Sequence, residues 1–330
     1  MTEAWLTQNR QHPVTDLMVA TNRHIRQWHS KIPALLLLTV GICCSNAVMA
    51  AEAAFHLNIG FSSQAFVNAP KEDIRVAVRI LSSKVAEKSS GSADSRIYDT
   101  QADMERDLRA HKLDILALTP KDFLDLRSRV PLDPVMVTAS DKGYQVDLLL
   151  LVRKDSRFHR LKDLQNKNIV IPSKIAQNGN LYHIWLDTIL ARYGFPAIDS
   201  FFSSTWEART ASQALMRVFF RTADACVVTG YVLDLAAELN PQIANDLRVI
   251  ARTDNLAGGI IALRNDLPAP QKQRIRQALS TLHEDQEGHQ LFVLFQLDRL
   301  IPYRPEYLNA TEVFVAEYHN SRNVAGRHRR

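Results

Sequence analysis

Residues 145–171, QVDLLLLVRKDSRFHRLKDLQNKNIVI, constrain the fold more than any other part of the sequence. The segment 146–152 is an apolar run interrupted only by Asp147, and a second apolar run begins at 168–171. Apolar runs of this length, bounded by turn residues, are typical of fully buried strands. Between them, 161–164 predicts a single helical turn rather than a full helix. We therefore predict that the chain leaves one sheet in this stretch and begins another.

Apolar runs of strand length alternate with helical patterns along residues 55–148 and again along 168–250. This alternation predicts an α/β fold in which each sheet is mostly parallel and flanked by helices. A further apolar run at 258–263 predicts the return to the first sheet, so that two crossing strands join two lobes. The predicted domains are an export segment, 1–50; lobe 1, 51–148 with 258–318; lobe 2, 149–257; and a disordered basic tail, 319–330.

Several local features give definite predictions. Pro120 directly after Thr119 predicts the start of a helix, because Thr is a good cap and Pro suits the first helical position. Cys226 lies in an apolar run, which is typical of a small core residue. The other predictions are a loop over 89–95, a strand over 201–202 and a helix over 288–300.

The formal charge of +5 comes from the two ends of the chain. Residues 1–50 carry a net charge of +2 and residues 319–330 a net charge of +4, which leaves −1 for 51–318. No basic stripe runs through the part that is expected to fold, so we predict no nucleic-acid partner.

The N-terminal segment has the pattern of an export signal. Basic residues precede an apolar core at 33–42, and Val48, Met49 and Ala50 allow cleavage after Ala50. The apolar stretch is short for a membrane span. We predict a periplasmic protein with a cleaved signal; the alternative is a membrane anchor through 32–50.

The sequence lacks the common catalytic and nucleotide-binding motifs. These are G-x-S-x-G for a serine nucleophile, H-E-x-x-H for zinc, C-x-x-C for redox chemistry, G-x-x-x-x-G-K-[ST] for phosphate and G-x-G-x-x-G for a dinucleotide. His283 and His289 are six residues apart, a spacing that does not favour a metal pair. We therefore predict no catalytic residue, no metal and no cofactor. Asp224 and Trp206 have two interpretations, as structural residues or as walls of a pocket.

Hydroxyl residues follow strand after strand, just before a helix begins. In α/β sheets ligands bind beyond the carboxyl ends of strands, where helix N-termini present free N–H groups that suit an anion. The alternative is that these residues act only as helix caps. The candidate ligand-binding residues are Ser62, Thr119, Thr138, Ser173, Asn178, Gly179, Asn180, Thr205 and Thr229.

Three blocks of the sequence resemble the type II periplasmic solute-binding proteins, and in particular the phosphate, phosphite and phosphonate receptors of ABC transporters. The block LLLVRKDSRFHRLKD at 149–163 is similar to the family pattern V-x-K-x-S-x-I-x-x-L-x-D-L, and FFRTADACVVT at 219–229 to V-x-x-G-x-A-D-A. DILALTP at 114–120 resembles D-x-x-x-x-G-P. The resemblance implies two α/β lobes that close on a ligand between them.

The sequence departs from the family pattern at its ligand loop. The phosphonate receptors carry S-[ST]-S-G there, whereas 176–179 is AQNG. The family's ligand His falls near Ala211, and Thr119 and Arg221 stand where the family has Gly. The fold inference is independent of these positions, but the identity of the ligand is left open.

We therefore predict an exported solute-binding protein that captures a small polar or anionic ligand by hinge closure for an ABC-type permease, and that acts as a monomer. One alternative is a periplasmic sensory module that feeds a sensor kinase. An enzyme on the same fold is the third hypothesis, and the absence of a cysteine- or histidine-rich active loop counts against it.

Overall fold

Two β-sheets organise the part of the chain that the computed structural model describes, residues 55–66, 71–173, 179–295 and 297–327. The strands are Phe55–Ser62 (β1), Gly91–Tyr98 (β2), Ile115–Leu118 (β3), Leu132–Ala139 (β4), Gln145–Arg153 (β5), Asn168–Pro172 (β6), Ser204–Ala208 (β7), Ala225–Thr229 (β8), Leu247–Ala257 (β9), Ile260–Arg264 (β10) and Arg299–Pro302 (β11). The α-helices are Lys71–Lys88 (α1), Gln101–Arg109 (α2), Pro120–Arg127 (α3), Gly179–Arg192 (α4), Ile198–Phe201 (α5), Ala211–Phe219 (α6), Gly230–Leu239 (α7), Gln242–Asp246 (α8), Ala269–Ser280 (α9), Gln286–Leu294 (α10) and Asn309–Arg327 (α11).

The first sheet has the strand order β11-β4-β10-β3-β1-β2, and the second has the order β7-β6-β8-β5-β9. In the first, β1 to β4 run in one direction and β10 and β11 in the other. In the second, only β5 opposes its neighbours within the described strands. We call the six-stranded sheet with α1–α3, α9 and α10 lobe 1, and the five-stranded sheet with α4–α8 lobe 2. The predicted α/β class with two sheets flanked by helices is confirmed; both sheets are mixed, and four strands of each run in one direction.

The apolar run of β5 forms the centre of lobe 2. Residues 148–152 are at most 2% exposed, and β5 lies between β8 and β9. Cys226 of β8 is fully buried beside it, as predicted, and this burial raises the pKa of its thiol. A strand covered on both faces has no polar alternation, which explains the continuous apolar pattern.

The chain crosses between the sheets just before β5 and just after β9. The first crossing, 140–144, contains a tight turn in which Ser140 and Gly143 exchange backbone hydrogen bonds of 2.9 and 3.0 Å. The second consists of Gly258 and Gly259, and the Gly258 amide donates to the Tyr144 carbonyl oxygen at 3.0 Å. β5 itself lies wholly in the second sheet, so the first crossing precedes the predicted stretch 145–171. The predicted lobe bounds, 51–148 with 258–318 and 149–257, stay a prediction.

Helix α11 contacts both lobes. Arg127 of α3 pairs with Glu312 at 2.5 Å, and Arg192 of α4 pairs with Glu317 at 2.5 Å. The Thr311 hydroxyl accepts a hydrogen bond from the Ala257 amide at the end of β9, at 3.0 Å. The helix continues to Arg327, whereas the sequence predicted an unstructured tail from residue 319.

The structure corrects three local predictions. Residues 201–202 are not a strand: Phe201 ends α5, and the rings of Phe201 and Phe202 pack edge to face at 4.9 Å. The strand prediction was wrong because two adjacent aromatic residues are too few to show a periodicity. The predicted loop at 89–95 is mostly strand β2, an edge strand that tolerates small polar residues. The predicted helix 288–300 ends at Leu294, and β11 begins at Arg299.

No helix among the described residues has the length and hydropathy needed to cross a membrane. The predicted export segment, 1–50, lies outside the described residues.

Candidate functional site

A cavity of about 730 Å³ lies where the two lobes meet. Lobe 1 contributes the end of β4 and Leu297, and lobe 2 contributes the start of β5 and part of β9. The first turns of α6 and α7 also line it, as does the turn after β4. The site is therefore built where strands end and helices begin, the place at which α/β folds bind ligands.

The first turn of α6 is a capped helix N-terminus that opens on this cavity. Thr210 is the cap, and its hydroxyl accepts a hydrogen bond from the Gln213 amide at 3.0 Å. Thr210, Ala211 and Ser212 all line the cavity, and the first turn has no acidic residue. The first amides of a helix lack carbonyl partners within the helix and carry a partial positive charge, which favours an anion.

The first turn of α7 already holds a carboxylate of the protein itself. Thr229 caps this helix, and the amide of Gly230 donates to Oδ1 of Asp147 at 3.0 Å. A Cβ atom at Gly230 would lie 2.3 Å from that oxygen, so only glycine permits the contact. The Tyr182 hydroxyl hydrogen-bonds to Thr229, and burial raises the pKa of Tyr182. An anionic ligand would thus compete with Asp147 at α7 but not at α6.

A β-bulge explains how Asp147 reaches the cavity from a buried strand. The pairing of β5 and β9 shifts between Val146 and Leu148, so that Asp147 lies opposite an extra residue of β9. Asn255, in this part of β9, has a left-handed backbone with φ of 65°. Bulges re-aim side chains and are frequent next to functional sites. Asp147, Arg252 and Asn255 all line the cavity.

The fixed charges of the cavity are balanced. Arg252 donates to Oδ2 of Asp147 at 2.5 Å, and Lys142 in the first crossing forms an ion pair with Asp234 of α7. The hydrogen bond to Asp234 raises the pKa of Lys142. Among the described lining residues these are the charged ones, and the other polar side chains of the lining carry hydroxyl or amide groups.

Two of the predicted ligand-binding residues, Thr138 and Thr229, line the large cavity. Thr138 also has a structural contact, because its hydroxyl accepts a hydrogen bond from the Gly259 amide at 2.7 Å. Thr119 caps α3, as predicted, and lines two smaller cavities beside the cleft.

The other predicted residues lie elsewhere or cannot be placed. Ser62 donates to Asp122 at 2.8 Å and Ser173 to Glu207 at 2.9 Å, outside the lining of the large cavity. Thr205 lies near the start of β7 instead of beyond its end, because the strand begins three residues later than the predicted one. Gly179 and Asn180 begin α4, and Asn178 lies outside the described residues.

Two residues left open by the sequence have structural contacts. Asp224 exchanges two hydrogen bonds with Asn168, of 2.8 and 3.0 Å, which join the starts of β8 and β6. Trp206 packs under the guanidinium of Arg217, 5.5 Å from the ring centre. Neither lines the cavity.

Sequence reasoning missed Thr210, Ser212 and the Asp147–Arg252 pair. The signal for Asp147 was visible, since it is the polar interruption of the apolar run 146–152. A charged residue in a buried strand needs a partner, but its partner lies 105 residues away in β9.

Two α/β lobes, joined by adjacent crossings, enclose a polar cavity between them. Residues 68–308 match the family of ABC transporter phosphonate periplasmic substrate-binding proteins, and the chain belongs to this family. The resemblance found in the sequence is confirmed, and with it the function of binding a solute. The family is periplasmic and works with ABC transporters.

Solved structures of the same fold cover most of the chain. A Xanthomonas citri protein with bound chloride has a TM-score of 0.60 and 16% identity, over 81% of this chain and 99% of that one. The binding component of a Pseudomonas aeruginosa phosphonate transporter has a TM-score of 0.58 and 15% identity, over 81% and 87%. A Prochlorococcus marinus protein in complex with methylphosphonate has a TM-score of 0.59 and 13% identity, over 80% and 98%. No curated protein matches the sequence.

Proposed function

We propose that this protein binds a small oxyanion, such as a phosphonate, at the N-terminus of α6 and delivers it to an ABC permease after the lobes close on it. The observation that carries the proposal is the capped first turn of α6, Thr210–Ser212, in the wall of the interlobe cavity. This turn offers two hydroxyls, one of them the helix cap, and first-turn amides that have no carbonyl partner within the helix, which suits an anion with several oxygens.

The charge balance supports reversible binding. Arg252 and Lys142 each have an acidic partner, so neither presents a full unpaired charge to a ligand. Neutral hydrogen bonds and a helix dipole contribute less than a bare ion pair would. Such a site holds an anion firmly enough for capture and still allows its release to a permease.

The adjacent crossings support closure by a hinge. The Gly258 amide bonds to the Tyr144 carbonyl, so both connections lie side by side at one edge of the cavity. Hinge closure needs a few residues that absorb changes of φ and ψ, and glycines do this at low cost. We further propose that the protein is a monomer without catalytic activity, exported with cleavage near residue 50.

Isothermal titration tests the ligand class. Methylphosphonate, phosphate, phosphite, sulfate, methanesulfonate and acetate should be titrated separately, and at least one oxyanion should bind with 1:1 stoichiometry. Ser212→Ala should weaken that binding about tenfold, since a hydrogen bond to a charged group contributes about 1.5 kcal/mol.

Ser128→Ala serves as the matched control, because Ser128 is an exposed serine at the end of α3 that does not line the cavity. It should bind like the unmodified protein. If Ser212→Ala binds every oxyanion as tightly as this control does, the anion site is not at α6. If no oxyanion binds to the unmodified protein, the ligand class is wrong.

A further inference from the structure

A second cavity, of about 180 Å³, lies mainly in lobe 1, and Val146, Leu181 and Ala257 of lobe 2 complete its wall. It lies over one face of the six-stranded sheet, beneath α1, α9 and α10, and its wall is predominantly apolar. Phe61, Phe66 and Phe295 pack in series along it, with ring centres 5.7 and 5.5 Å apart.

The cavity reaches the middle of the sheet. Ala117 of β3 and Ile261 of β10 are direct cross-strand partners in the two central strands, and both line it. Both are only half-buried, although their neighbours Leu116, Leu118 and Ile260 are at most 1% exposed. Central-strand residues remain accessible in this way only when the space above them is not filled by side chains.

Protein interiors are packed almost as densely as organic crystals, and natural cores contain few voids larger than a water molecule. An apolar cavity of about 150 Å³ is enough to bind benzene. Ser82 on α1 lines this cavity and is only 1% exposed, and its hydroxyl has no hydrogen-bond partner among the described residues. A void of this size with an orphaned hydroxyl in its wall indicates a space that is filled by something other than the protein's own core.

The apolar cavity adjoins the polar cavity between the lobes, which we call the cleft. Thr138, Val146 and Leu297 line both of them. A ligand whose charged end lies in the cleft would therefore reach the apolar cavity past Thr138, without crossing the sheet.

We propose that the ligand is amphipathic: an oxyanion head binds in the cleft, and an apolar group about the size of a benzene ring or a hexyl chain enters the cavity in lobe 1. This inference rests on the proposed anion-binding function and narrows its ligand class. Short anions such as methylphosphonate bind through the head alone, and larger alkyl or aryl phosphonates bind more tightly.

Titration calorimetry with methyl-, butyl-, hexyl- and phenylphosphonate tests the proposal. Burial of each methylene should raise the affinity about fourfold until the cavity is full. Methanesulfonate against hexanesulfonate, and acetate against hexanoate, provide the same comparison with other head groups. Equal affinities along every series would overturn the apolar subsite while leaving the oxyanion site intact.

Ala117→Leu places three more carbons in the cavity. This substitution should remove most of the increase in affinity from methylphosphonate to hexylphosphonate, and it should leave the affinity for methylphosphonate unchanged. Ala65→Leu, in the 3-10 turn that also lines the cavity, is a second variant should the first fail to fold. If both folded variants keep the full dependence on chain length, the apolar group binds elsewhere and the proposal is wrong. If no anion of any series binds the unmodified protein, both the proposed oxyanion site and the proposed apolar subsite are wrong.

Discussion

Arg252 donates two hydrogen bonds, of 2.5 and 3.1 Å, to one carboxylate oxygen of Asp147, while the other oxygen accepts the Gly230 amide at 3.0 Å. Both oxygens of a carboxylate in the cleft are thereby occupied by the protein. The pair joins β9, β5 and the N-terminus of α7 in lobe 2. It also prevents Asp147 from presenting an unpaired negative charge to an anionic ligand.

Arg252→Gln should weaken oxyanion binding about tenfold, because it leaves Asp147 uncompensated in the cavity wall. The double variant Arg252→Gln with Asp147→Asn restores charge balance and should recover most of the affinity. A double-mutant cycle measured by titration calorimetry isolates this coupling. Additive effects of the two substitutions would mean that the pair does not govern the site.

Thr210→Ala and Thr100→Ala form a matched pair for the α6 terminus. Each threonine caps a helix and accepts an amide hydrogen bond, of 3.0 Å at Thr210 and 3.1 Å at Thr100. Each substitution should therefore lower the free energy of unfolding by about 1 kcal/mol. Only Thr210→Ala should reduce oxyanion affinity, because only Thr210 lines the cavity. Equal affinities of the two variants would contradict the site at α6.

Gly258→Ala should lower the free energy of unfolding by about 2 kcal/mol. The new methyl group would lie 2.4 Å from the Thr138 hydroxyl oxygen and 2.9 Å from the Thr138 carbonyl oxygen, and the backbone cannot move away cheaply. Gly259→Ala is the control: its nearest contact is the Thr138 methyl group at 3.1 Å, so it should cost less. Urea denaturation of both variants measures the difference. Equal losses of unfolding free energy would show that the contact with Thr138 does not determine which residues are tolerated at position 258.

Asp155→Asn should destabilise the protein at pH 7 and much less in acid. Hydrogen bonds from Arg153 and Arg221 hold the pKa of Asp155 well below its ordinary value of 3.8. Because the folded-state pKa is lowered, the stabilisation is present above pH 3.8 and is lost as the pH falls through the folded-state pKa. The difference between the melting temperatures of the two proteins should be largest at pH 7 and should narrow as the pH falls from 3.8 toward 2. A difference in melting temperature that stays constant with pH would mean that the charge of Asp155 does not contribute to stability.

Local sequence signals predicted those parts of the fold that depend on local chemistry. The apolar run of β5, the Thr119 cap with Pro120 and the buried Cys226 each follow from neighbours along the chain. The position of the first crossing does not, because it depends on a hydrogen bond between Tyr144 and Gly258, far apart in sequence.

The candidate site was harder to predict for a related reason. A hydroxyl after a strand indicates a helix cap, and helix caps occur outside the large cavity as well as in its wall. Thr229 and Thr119 are both caps, yet only Thr229 lines the large cavity. Which caps converge depends on strand order and on the β-bulge at Asp147, and neither has a local signature.

Arg221 shows how a departure from the family pattern can be tolerated. It stands at the glycine of the family pattern V-x-x-G-x-A-D-A that this block resembles, and its φ of 64° is the left-handed conformation that glycine adopts most easily. Its guanidinium pairs with Asp155 at 2.5 Å, an interaction that glycine could not make.

Helix α11 has a consequence for motion. Its two glutamates are fixed to different lobes, through Arg127 and through Arg192. When one lobe rotates against the other and the helix moves with one of them, the ion pair between the helix and the other lobe is therefore strained or broken. Because both pairs are partly exposed, dissolved salt screens them. The ionic strength of the solution therefore affects how readily the lobes rotate, through ion pairs that do not line the interlobe cavity.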